Sequence, residues 1–172
     1  MRNLKSIFAA AVPGALEKAL RYRLLNEPLE AESICLDVLR VDPENQQALV
    51  TSLLALSDLF DDDMAALERA KVVLPRLTSE YDRAYYEGVI HERWAKAEST
   101  RRVPSHVVTG WYLLAMHCYE RAEALAPPDN PDAILRWNTC ARWLARHEND
   151  STADPSLTRD MATEFGEETP TR

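Results

Sequence analysis

Several stretches of the sequence set titratable or metal-binding side chains close together. His91-Glu92 opens like a zinc-protease helix, in which a second histidine follows four residues after the first so that both imidazoles reach one ion. Ala95 stands at that position, so the motif is broken. Glu87 and His91 fall at i and i+4, where a carboxylate and an imidazole can hydrogen-bond; such a pair ordinarily steadies a helix rather than moving protons. His117 and Cys118 are adjacent, and neighbours on a helix point about 100° apart, so they do not share a metal. The run Asp61-Asp62-Asp63 lacks the alternating ligands and central glycine of a calcium loop and reads as a helix cap. The sequence carries no glycine-rich phosphate loop and no nucleophile elbow. These readings assign no catalytic residue, no metal and no cofactor, and the expectation is a protein that is not an enzyme.

The remaining reactive side chains read as core. Cys35, Cys118 and Cys140 are widely spaced, form no CxxC pair and lie among apolar helical residues, where a thiol packs as a small hydrophobe. Reduced core cysteines suit the cytoplasm. Tyr81, Tyr85 and Tyr86 cluster on one helical stretch, and Trp94, Trp111, Trp137 and Trp143 lie on this stretch and its successors; most are expected between helices. Tyr85 and Tyr86 cannot share a helix face, so one of them is expected at least partly exposed.

Charge narrows the partners. The 172 residues carry a net charge of −8, which disfavours nonspecific nucleic-acid binding. The distribution is uneven. Between Glu27 and Ala70 eleven carboxylates face only Arg40 and Arg69, a net of −9, whereas the first 26 residues carry +4. Such a dipolar surface can steer a partner, although a solvated helical surface explains it as well. No apolar run approaches a membrane span. The basic Met1 to Lys5 and apolar Ile7 to Val12 mimic a short signal peptide, but Pro13-Gly14 interrupts the run. Leu4, Ile7, Phe8 and Ala11 also read as one face of a short helix.

The elements that position these residues are helices throughout. Only 4 glycines are present, too few for the turns of a β-rich fold of this size. Apolar periodicity predicts helices near 13–25, 29–41, 48–60, 65–74, 79–98, 105–126 and 132–146. Asp42-Pro43-Glu44-Asn45 stops one helix and caps the next, and Ser105 is expected as an N-cap. From His147 to Arg172 acids, Thr, Ser and Pro dominate, which predicts a disordered acidic tail after a 1–146 helical domain.

A repeat is hidden in the spacing. Ala31, Cys35, Val38 and Pro43 are separated by 4, 3 and 5 residues, and Ala115, Tyr119, Ala122 and Pro127 repeat that ladder. The two ladders start 84 residues apart, two periods of 34 plus 16. A middle copy is therefore expected at Ala65, Arg69 and Val72, with its proline displaced to Pro75. This pattern resembles the tetratricopeptide repeat, whose second helix carries a small residue, a bulky one, a second small one and a terminal proline. The segment from Asp42 to Leu49 looks like a junction between two such repeats, with Gly88 and Tyr22 at small and aromatic first-helix positions. The resemblance covers about Pro13 to Arg146. It implies an all-α solenoid of about three antiparallel helix pairs plus a terminal helix. The surplus residues lengthen the third hairpin, whose tip, Arg101 and Arg102, is expected to project.

In the resembled family the inner wall is built mainly by first helices and commonly holds a peptide or partner helix. Carried over, that wall includes Gln47, Asp58, Tyr85, Glu92 and Arg93. Asn138 and Arg142, at i and i+4 on the last helix, add a polar pair in which Arg142 can clamp a carboxylate or form a surface salt bridge. The expected function is a protein-interaction module with a protein or peptide partner, no nucleic acid and no membrane. The alternative is a structural, self-assembling homo-oligomer whose apolar end faces meet.

Overall fold

Small side chains let helix backbones approach closely, and this chain buries many of them: Ala19, Ala31, Ala48, Ala66, Ala84, Ala95, Ala115, Ala122 and Ala133 are all buried. The computed structural model describes residues 3–147. Seven α-helices follow in order: α1 Val12–Leu24, α2 Pro28–Val41, α3 Gln46–Asp58, α4 Ala65–Val73, α5 Glu80–Thr100, α6 Ser105–Leu125 and α7 Asp132–His147. Short 3-10 turns occupy Ala9–Ala11 and Leu74–Arg76, and the described residues contain no strand. Neighbouring helices pack as pairs, α1 on α2, α3 on α4 and α5 on α6, and α7 closes against α6. First helices also touch across pairs, α1 to α3 and α3 to α5. The fold is all-α and repeat-like.

Local signals explain most boundaries. Pro13 sits in the first turn of α1, where its missing N–H costs nothing. The Asn45 side chain accepts from Ala48 N at 2.9 Å and starts α3, and Ser79 accepts from Asp82 N at 3.1 Å and starts α5. Asp63 accepts from Ala65 N at 2.9 Å, but it stands one residue before the N-cap position of α4, Met64, which makes no side-chain cap bond. Ser105 differs from expectation: it lies inside α6, whose N-cap position is Pro104. Residues 3–8 form no helix, so Leu4 and Phe8 stay largely exposed rather than making an apolar face. The expected acidic tail lies outside the described residues except for His147, which ends α7 with its ring stacked on Trp143 at 4.1 Å.

The ladders hold at both ends and slip in the middle. Ala31, Cys35 and Val38 are fully buried, as are Ala115, Tyr119 and Ala122. The expected middle copy does not face the core: Ala65 and Val72 are exposed, and Arg69 pairs with Glu32 and Asp63 at the edge. Instead Ala66 and Ala70 are buried with Val73 packed beside them, the same spacing moved on by one residue. A one-residue advance rotates a helix face by about 100°, so a fixed 34-residue period chose the wrong side.

The elongated hairpin is present, each arm having 21 residues. Its tip does not project as expected. Arg101 folds back, donating to the Phe60 and Asp61 carbonyls and to Glu98 Oε1 (3.0 Å), with its guanidinium 5.0 Å over the Trp94 ring. The tip is thereby tied to the turn after α3, and Arg102, with φ of 59°, is the exposed residue.

Helices α5 and α6 approach closely at Gly88. A Cβ added at Gly88 would stand 2.6 Å from the Tyr119 ring, and Tyr119 is fully buried. Gly88→Ala gains up to about 1 kcal/mol of helix propensity but overpacks at a cost of about 1–3 kcal/mol. Urea unfolding is therefore expected to show a net loss of about 1–2 kcal/mol. In a Tyr119→Ala background the same substitution should turn neutral or stabilising, the coupling expected of side chains in contact.

Candidate binding cleft

Three charged residues at a constant spacing meet on the first-helix face. Arg23 closes α1, Asp58 closes α3 and Arg93 sits midway along α5, each 35 residues from the next. Arg23 Nε donates to Asp58 Oδ2 at 2.6 Å. Arg93 Nη1 donates to Asp58 Oδ1 and to Ser57 Oγ, the latter at 2.9 Å. One carboxylate thus serves two guanidinium groups. They open into a cleft of about 490 Å3 whose lining adds Lys96 from α5, Arg136 from α7 and Asp61, with Leu24 and Phe60 as apolar walls. The volume falls within the range of ordinary ligand sites. Four cations face two carboxylates there, in a chain whose net charge is −8.

The cations do not share the same compensation. Lys96 and Arg136 are anchored from below by Glu92, which is fully buried. Glu92 Oε1 accepts from Lys96 Nζ at 2.6 Å, Oε2 accepts from Tyr119 Oη at 2.8 Å, and Arg136 Nη1 reaches both oxygens at 3.3 Å. Burial lowers the Arg136 pKa but Glu92 outweighs it, so the net shift is upward. Arg93 moves the other way. Burial and the neighbouring Arg23 and Arg136 lower its pKa by more than Asp58 restores. A buried guanidinium with two further arginines nearby is a place where an incoming anion gains from added charge pairing.

The expected wall is only partly this cleft. Asp58 and Arg93 are in it. Glu92 lies beneath it as a buried counterion rather than on its surface, because α5 turns that residue toward α6 and α7. Gln47, Tyr85, Asn138 and Arg142 are not among the lining residues. Gln47 is exposed at the far end of α3. Tyr85 and Tyr86 are both half-buried, and Tyr85 stacks on Tyr81 at 5.8 Å and packs against Tyr119. On α7 it is Arg136, six residues before Arg142, that enters the cleft. Sequence reasoning missed Arg23, Lys96 and Arg136; the recurrence of charge at 23, 58 and 93 was the available signal. The chain matches no protein-family model, no curated protein and no solved structure.

Glu92 gives the cleft floor a pH signature. Burial alone would raise its pKa, but Lys96, Arg136 and Tyr119 more than offset this and hold it below the usual value. A depressed folded-state pKa means stability that is present above the unfolded value and is lost as pH falls through the folded one. Removing one partner of a buried ion pair costs about 3–5 kcal/mol; Lys96 and Arg136 retain access to water, so Glu92→Gln is expected to cost about 2 kcal/mol at pH 7. Urea titrations across pH should show the gap between wild type and Glu92→Gln narrowing once pH drops below about 4.

Proposed function

We propose that this chain is a protein-interaction module that takes an acidic segment of a partner into the cleft between its first helices. The observation that carries the reading is the shared Asp58: two arginines divide one carboxylate, and Lys96 and Arg136 add charge at the rim. Guanidinium groups held in a recess favour carboxylates, which they can meet through paired N–H donors. The acidic surface elsewhere repels long polyanions such as nucleic acid, so a short acidic segment suits the site better. The spacing resemblance to tetratricopeptide repeats supports the same reading, since that family binds through its first-helix face. No helix of the described residues is long and apolar enough to cross a membrane. The buried free thiols fit a reducing compartment such as the cytoplasm.

A second reading has one observation in its favour. Leu24, Leu25 and Leu29, around the α1–α2 turn, are 83%, 61% and 59% exposed, an apolar end that a second copy can cover. Sedimentation over a range of concentrations separates the two: a monomer throughout removes self-assembly.

Fluorescence anisotropy with a labelled glutamate-rich peptide tests the leading reading. Binding should weaken steeply with salt and fall by about tenfold or more in a Lys96→Glu, Arg23→Ala variant. Arg142→Ala and Gln47→Ala should leave affinity unchanged. Equal binding by the cleft variant, or equal affinity for a lysine-rich peptide, refutes the assignment.

A further inference from the structure

Away from the cleft, where α5 and α6 face each other, Glu87, His91 and Cys118 bring one ligand atom each within 4.8 Å of one another. We propose that these three side chains form a binding site for a zinc-type divalent ion, independent of the acidic-segment cleft. Glu87 and His91 stand one turn apart on α5, and Cys118 meets them from α6. A search along a single helix could not pair them, which is why the sequence reading expects no metal here.

The donor set selects the ion. Thiolate, imidazole and carboxylate are the ligands zinc takes, whereas magnesium and calcium prefer oxygen alone. Zinc–ligand bonds of about 2.0–2.3 Å place donor atoms roughly 3.5 Å apart on a tetrahedron, so small side-chain rotations close the site. The Cys118 sulfur lies within 4.8 Å of a Glu87 carboxylate oxygen, and the ion would sit between sulfur and oxygen. His91 and Cys118 are buried, while Glu87 is half-buried and marks the route in. Water from that side can supply the fourth ligand. Arg121 Nη1 donates to Glu87 Oε2 at 3.2 Å and orients the carboxylate, as outer partners of metal ligands do. The His91 ring is held by stacking on Trp111, with centroids 5.4 Å apart.

Charge and protons balance. Histidine binds a metal as the neutral imidazole and cysteine as the thiolate, which a thiol becomes by losing its proton. Binding then reads thiol plus M2+ giving metal thiolate plus one proton, which passes to the buffer. Thiolate and carboxylate together cancel the charge of the ion, which leaves Lys71 and Arg121 as the nearby cations.

Titration of the chelator-treated full chain with Co2+, followed by displacement with Zn2+, tests the site. One ion per chain should bind, with a thiolate-to-cobalt charge-transfer band in the near ultraviolet. Calorimetry in two buffers of different ionisation enthalpy should report release of one proton per ion. Cys118→Ser should abolish the band, whereas Cys35→Ser and Cys140→Ser should keep it. Should Cys118→Ser not fold, as judged by circular dichroism, Glu87→Gln carries the test, with affinity about tenfold weaker or more. Absence of the band, binding without proton release, a band that survives Cys118→Ser, or unchanged affinity in Glu87→Gln each overturns the proposal.

Discussion

Close approach of helix backbones is the constraint on which the rest of this structure depends. Buried alanines meet it along the stack, and Gly88 meets it between α5 and α6, where the Tyr119 ring lies against the α5 backbone. Because that ring is drawn in so far, its hydroxyl reaches Glu92 on the next turn of α5. Glu92 in turn holds Lys96 and Arg136, which joins α7 to the stack and places two cations at the cleft. A packing feature and an electrostatic feature are therefore one chain of contacts. A buried carboxylate is costly unless its partners are fixed, and here packing fixes them.

The second organising feature is the sharing of Asp58. Helices α1, α3 and α5 contribute a cation, an anion and a cation at equal spacing, so stacking brings them together without any loop having to carry them. Burial, with Arg23 and Arg136 nearby, lowers the Arg93 pKa despite its bond to Asp58. The structure thus keeps positive potential in a recess of an otherwise acidic protein. Two arginines outside the cleft are engaged in holding helices together: Arg69 grips Glu32 with two nitrogens and Asp63 with a third, and Arg101 ties the hairpin tip to the turn after α3.

The small-bulky-small ladders, the prolines and the polar caps were legible along the chain because each reflects a local rule: helical periodicity, a blocked N–H, or a side-chain acceptor for a free N–H. These features predicted an all-α chain of paired helices, the long third hairpin and the buried cysteines. The one ladder misplaced, at Ala65, failed because a fixed period cannot register a one-residue advance in the α3–α4 turn, where Ala66 and Ala70 take the core side. Asp58 and Arg93, expected on the wall from the tetratricopeptide resemblance, line the cleft, whereas Glu92, the neighbour of Arg93, points about 100° away and is buried.

What the sequence determined by itself is which segments are helical and which of their faces are apolar, since both follow from neighbours within one or two turns. Which charges meet was decided only by the tertiary structure. The pairings of Arg23 with Asp58 and of Arg136 with Glu92, and the approach of Cys118 to Glu87, each join different helices. Whether two such side chains meet depends on the rotation and crossing of whole helices, which the packing of small residues sets and which no local spacing encodes.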